Sequence, residues 1–191
     1  MRPETADPAF LFAWTAAMAG LMLPSELPLF RLDYAAVRSR VRTAVLASGY
    51  LVVGLAVGGL AVVADAAAGG RLMGSHGRIT VAAVLGTAAV FQVTPLKRRC
   101  LDVCRAPLAR VLHGWRDGLP GAFRMGAENG AWCAGCCVGL MAVMLAVGMM
   151  STVWMLVIGA AIFVEKTTRV GVNASRVAAA ALAVGAVTWI L

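Results

Sequence analysis

From Ala131 to Val164 the chain runs through 34 residues without a single charge. As one helix at 1.5 Å per residue that run would be about 51 Å long, well beyond the roughly 30 Å of a bilayer's hydrocarbon core. It is therefore expected to form two membrane spans, divided near Gly148-Met149-Met150-Ser151. Two more apolar runs, Ala44 to Ala64 and Ile79 to Leu96, are long enough to span. Val177 to Leu191 makes a short last span, longer if it begins near Val170 with Arg176 reaching to the interface.

The weakest run is the first. Phe10 to Leu23 is followed by Pro24 and Pro28, so it could be re-entrant or interfacial; a kinked span extended by Leu27 to Phe30 is favoured. Taken as a span, it makes an all-α, multi-pass transmembrane bundle of about six helices, with residues 1–191 forming one integral membrane domain. Composition agrees. Of the 191 residues 61% are hydrophobic and 14% charged, where soluble domains carry about 45–50% and 25%. The segment Met1-Arg2-Pro3-Glu4-Thr5-Ala6-Asp7 lacks the basic start of a secretory leader, so the first apolar run is expected to be retained.

The net charge is +8, but the basic residues sit in short gaps between apolar runs. That pattern points to lipid and topology and away from nucleic acid. Fourteen of them fall in alternate gaps: Arg31, Arg38, Arg40 and Arg42; then Lys97, Arg98, Arg99, Arg105, Arg110, Arg116 and Arg124; then Lys166, Arg169 and Arg176. Only Arg2, Arg71 and Arg78 lie on the other side. The positive-inside rule then places both termini outside a bacterial inner membrane and the cysteines toward the cytoplasm.

All five cysteines lie within 38 consecutive residues. On a helix at 100° per residue, Cys136, Cys137, Met141 and Met144 fall within about 80° of Cys133, and Asn129 joins that face if the helix starts early enough. Cys100 and Cys104, four apart, share a second face at the foot of the third span. Thiolates and thioethers select Cu(I), Zn(II) or mercury over hard ions. The expected metal ligands are Cys133, Cys136, Cys137, Cys100 and Cys104, with Met141 and Met144 as a weaker relay; Met18 and Met22, four apart on the first span, either extend it or, as is commoner for methionines at helical spacing, simply pack.

Other residues are read more plainly. His113 joins the thiols only if the loop after Pro107 turns back, and His76 reads as a solvated loop residue. Gln92, a polar group in an apolar run, either bonds carbonyls freed by a kink at Pro95, the favoured reading, or serves a pathway through the bundle. Glu128 and Asn129 should stand at the fourth span's N-terminus. Glu165-Lys166 reads as an interfacial pair, and the Gly54/Gly58, Gly126/Gly130 and Gly135/Gly139 spacings as helix packing.

The run Phe91-Gln92-x-Thr94-Pro95-Leu96-Lys97-x2-Cys100-x3-Cys104-Arg105-x-Pro107 resembles the bacterial family of predicted metal-binding integral membrane proteins, a domain of unknown function. The likeness continues through Trp115, Gly118, Gly121-Ala122-Phe123, Gly126, Gly130 and Cys133-x2-Cys136-Cys137. It extends to Leu140-Met141, Gly148-Met149, Trp154-Met155 and Glu165-Lys166. Val138 and Ser151 depart from the pattern, where an aromatic and an asparagine are expected. The resemblance implies a multi-pass helical membrane protein that binds metal, without a defined reaction.

Copper, as Cu(I), is the expected cargo, moved, stored or exchanged with a copper-donating or copper-accepting protein. A membrane thiol–disulfide oxidoreductase is the alternative, since Cys133-x2-Cys136 has redox spacing, although a cytoplasmic orientation disfavours lasting disulfides. A non-catalytic assembly subunit with merely packed cysteines is the third.

Overall fold

A computed structural model describes residues 8–67, 77–147, 152–168 and 171–190. Among the described residues there are eight helices and no strand: α1 (Pro8–Val37), α2 (Arg40–Ala67), α3 (Arg78–Gln92), α4 (Pro95–Cys104), α5 (Pro107–Gly114), α6 (Gly118–Val147), α7 (Thr152–Thr167) and α8 (Gly171–Ile190). The all-α expectation holds. Two helices, Arg40–Ala67 and Gly118–Ala146, are long and apolar enough to cross a membrane. The pair Arg78–Gln92 and Pro95–Cys104 makes a third only if its 66° bend lies within one span.

The helix boundaries follow from local chemistry. Helix α1 runs through Pro24 and Pro28 to Val37, past the end at Phe30 that hydropathy suggested. It stops where Arg38 turns left-handed (φ 53°) and donates its backbone N–H to the Tyr34 carbonyl, closing the last turn. Ser39 then caps α2, its hydroxyl accepting from the Arg42 backbone N–H at 3.3 Å. Pro95 forces the α3–α4 bend. The Phe91 carbonyl, four residues back, instead accepts from the Thr94 backbone N–H at 3.1 Å and the Thr94 hydroxyl at 2.7 Å. Thr94 therefore does the work expected of Gln92.

Helix α6 starts at Gly118, much earlier than Ala131, where the uncharged run begins. Gly118 has φ +73°, a conformation that glycine adopts readily. Thirty residues make α6 about 45 Å long. Glu128 and Asn129 consequently lie well inside a helix, not at its N-terminus. The division expected at residues 148–151 lies outside the described residues, between the end of α6 and the start of α7.

The chain forms two compact units, Met1–Leu60 with Cys100–Gly135, and Ala61–Arg99 with Cys136–Leu191. Helices α2, α4 and α6 each contribute residues to both. In the first unit Leu29, Leu46, Ala122 and Met125 form the core, flanked by Phe30, Val45 and Val111, and α1 packs on α5. In the second, α3 lies along α8 and α7 packs on α8, burying Leu85, Ala88, Ile158, Ile162 and Ala179.

Glycine decides how closely α2 and α6 approach in the first unit. A Cβ at Gly126 would collide with the Leu46 carbonyl, and one at Gly49 with the Phe123 carbonyl. One at Gly130 would stand 3.1 Å from the Tyr50 carbonyl. The packing expected of Gly126 and Gly130 is present, whereas a Cβ at Gly54 meets nothing within 4 Å. Gly126→Ala should cost about 1–3 kcal/mol through overpacking against backbone, read as a lower melting temperature in detergent. Gly54→Ala should melt no lower than the parent.

Candidate metal centre

Helix α6 carries three buried thiols, Cys133, Cys136 and Cys137, each no more than 2% exposed. Cys133 lies about 22 Å along α6 from Gly118. In the first unit its sulfur faces Met22 of α1, Sγ to Sδ 3.9 Å, and shares a hydrogen bond of 3.0 Å with the Tyr50 hydroxyl of α2. One turn toward the start of α6, Asn129 donates to Glu26 Oε2 at 2.7 Å. Met22 and Glu26 are four apart on α1, as Asn129 and Cys133 are on α6. Those spacings place each pair on one helix face. The two helices therefore meet in two rungs, one sulfur–sulfur and one amide–carboxylate.

Cys100 on α4 belongs to the same unit and is buried. A Cβ at Gly135 would come to 3.0 Å from its Sγ, so Cys100 packs against α6 two residues past Cys133. Cys104, one turn on, is half-buried. The shared face expected of Cys100 and Cys104 follows from their place on α4. None of the five cysteines forms a disulfide.

The second unit holds Cys136 and Cys137, whose sulfurs lie 3.3 Å apart. Further along α6, Met141 and Met144 are buried. Gly139 receives Phe91, whose Cδ1 would be 2.9 Å from a Cβ there. Among the described residues no three Cys, His, Asp or Glu side chains converge on a common point. Sulfur meets sulfur pairwise, Cys133 with Met22 and Cys136 with Cys137.

His113 is exposed on α5, its Nδ1 3.2 Å from the Ala109 carbonyl, and His76 lies outside the described residues. The side chain of Met18 also lies outside them.

Four charged residues, Lys97, Glu165, Lys166 and Arg42, depart from their sequence reading. Lys97, counted among the cytoplasmic cations, is 1% exposed. It donates to Glu165 Oε2 at 2.7 Å and to Gln92 Oε1, while Gln92 Nε2 donates to Glu165 Oε1 at 3.1 Å. Glu165 is therefore buried in a three-way cluster with α3 and α4, and Lys166 beside it is also buried. They do not form an exposed interfacial pair. Arg42 is buried as well. It pairs with Asp33 at 2.9 Å, stacks 4.1 Å over the Trp115 ring and donates to the Arg116 carbonyl at 3.0 Å. By contrast, Glu128 meets Arg116 and Arg124 near the surface, where such pairs contribute little.

The sequence did not reveal Tyr50 or Glu26 as neighbours of the sulfur rung. Tyr50 sits in a plain apolar run. Glu26, a carboxylate between two prolines in an apolar segment, was the available signal.

A family model matches residues 11–189. The chain belongs to the PpoB2 family, described as copper chaperones. No curated protein and no solved structure matches it. Membership in PpoB2 agrees with the metal-binding character of the family that the sequence resembles. The ligands and the membrane placement rest on the sequence and the geometry.

Proposed function

We propose that this PpoB2 protein is an integral membrane Cu(I) chaperone that holds the ion on paired sulfurs along α6 and passes it to a partner protein. The observation that carries this reading is the buried Cys133–Met22 rung, with its sulfurs 3.9 Å apart. Cys133 and Met22 would hold the ion as a thiolate and a thioether, both soft donors. Soft ions accept few ligands when these are thiolate and thioether. A thiolate paired with a neutral thioether binds less tightly than a closed thiolate cage, which suits cargo that must leave. Cys136 and Cys137 offer two further thiols, Cys100 and Cys104 a second pair, and Met141 and Met144 a weaker continuation.

Tyr50 is a positioning residue in this reading, its hydroxyl donating to the Cys133 thiolate once copper has displaced the proton. Second-sphere donors of this kind are worth about 10–100-fold in affinity, so Tyr50→Phe should weaken Cu(I) binding about tenfold in competition with a chromogenic chelator. Unchanged affinity would remove Tyr50 from the site.

The membrane placement has six spans, with both termini outside and the loop around Arg116 in the cytoplasm. The basic-residue bias still supports it after Arg42 and Lys97 are set aside as buried ion-pair members. A reporter inserted near Arg116 should remain cytoplasmic, and one fused after Leu191 should be exported. Export of the Arg116 fusion would reverse the orientation. Detergent-purified, reduced protein should take up Cu(I) and release it to a stronger thiol ligand. Failure to take up copper under reducing conditions would refute the chaperone reading.

A further inference from the structure

Apart from the sulfur pairs, the first unit contains a groove of about 470 Å³ lined by residues of α4, α5 and α6. Its apolar wall includes Val103, Ala109 and Trp132, and its polar groups include Asp102, Arg110 and His113. Two guanidinium nitrogens of Arg110, Nε and Nη2, are buried without a hydrogen-bond partner. These two form the edge of the guanidinium that grips two oxygens of one oxyanion side by side. Leaving charged donors buried and unmet is costly, and Asp102 lines the same groove without reaching either nitrogen.

The surroundings of Arg110 say what kind of oxyanion fits. Val103 and Ala109 give the groove an apolar wall beside Arg110. Trp132 is 39% exposed at the groove wall, as aromatic residues at a membrane–water interface commonly are. A soluble phosphate would meet Arg110 but gain nothing from that apolar wall. A phospholipid would use both.

We propose that the groove binds an anionic phospholipid, its phosphate held by Nε and Nη2 of Arg110 and an acyl chain lying against Val103, Ala109 and Trp132. Arg110 belongs to the most basic gap of the chain, assigned above to the cytoplasmic side, where anionic lipids attract basic segments. The proposal rests on that membrane placement and not on copper.

The test is lipid retention by the full chain, purified in detergent with phosphatidylglycerol and phosphatidylcholine at equal concentration and read by native mass spectrometry. The parent protein should retain phosphatidylglycerol about tenfold over phosphatidylcholine. Arg110→Met should abolish that preference, and Arg110→Lys, which lacks the two-nitrogen edge, should restore only part of it. Ala109→Trp, which fills the groove from an exposed position, should exclude the lipid while leaving Arg110 in place. Arg98→Gln, an exposed arginine outside the groove, should retain lipid like the parent.

Equal preference in the parent and Arg110→Met would overturn the proposal. So would displacement of the lipid by inorganic phosphate alone, which would assign the groove to a soluble anion. Copper uptake by Arg110→Met should be unchanged. A parent that keeps its lipid but takes up no copper would sink the chaperone reading alone. Recovery of the chain in the soluble fraction would instead remove the membrane placement on which the groove's assignment depends.

Discussion

Replacing Cys133, Cys136 and Cys137 together with serine is expected to strip the protein of most of its Cu(I). The three thiols occupy little more than one turn of α6 and all are buried, so serine preserves size while removing the soft ligand. A hydroxyl is a poor partner for Cu(I), and the remaining thioethers are weak alone. Metal content measured on reduced, detergent-purified protein should fall from near saturation to near background. Met22→Leu should cause a smaller loss, because it removes only the neutral half of the rung. Equal copper in parent and triple variant would show that the sulfurs of α6 are packing groups.

Acidification gives the same site a second readout. Thiolates must lose protons to bind metal, so affinity falls as pH drops. Mild acid should release copper and leave all five thiols reduced, counted by alkylation after the protein is denatured at neutral pH. A redox enzyme would behave differently, with a Cys133–Cys136 disulfide trapped from acid-quenched cells as the major species. That result would replace the chaperone reading with the oxidoreductase one.

The other large effect is expected at Lys97. Lys97→Met takes the ammonium away from the buried Glu165 carboxylate and the donor away from Gln92 Oε1. Breaking a buried pair from one side typically costs about 3–5 kcal/mol. A loss of that size should unfold much of the second unit at moderate temperature, read as early melting or as proteolysis within residues 152–168. Adding Glu165→Leu should recover part of the loss, since removing both charges is far cheaper than stranding one. If the double variant is as unstable as the sum of the single changes, the two side chains do not act as a pair.

Buried charge is where sequence and structure part most clearly. Lys97 follows an apolar run and stands first in a basic cluster, so hydropathy and charge counting both class it as a topology signal. Its partner, Glu165, lies 68 residues away, and no local pattern links the two. Arg42 is a similar case, since both Asp33 and Trp115 are needed to explain its burial. Gln92 was expected to mend the Pro95 kink, but Thr94, nearer in sequence and carrying a hydroxyl, does so. The Gln92 amide is taken by Glu165 and Lys97, which leaves the Phe91 carbonyl to the Thr94 hydroxyl.

The helical character of the chain was readable directly, because uncharged, largely apolar runs of 18 residues and more are too long for strands and suit helices. So was the sulfur face of α6, because helical periodicity alone aligns Cys133, Cys137 and Met144. The PpoB2 family match adds copper to that pattern. Tertiary structure alone decided what the face meets: Met22 and Tyr50 beside Cys133, and the Glu26–Asn129 rung next to it. It also set the length of α6, since the turn at residues 116–118 is held by Arg42 and a left-handed Gly118, features without an apolar signature. Periodicity tells which way a side chain points along its own helix. Only packing brings a methionine from α1 and a tyrosine from α2 to the same thiol.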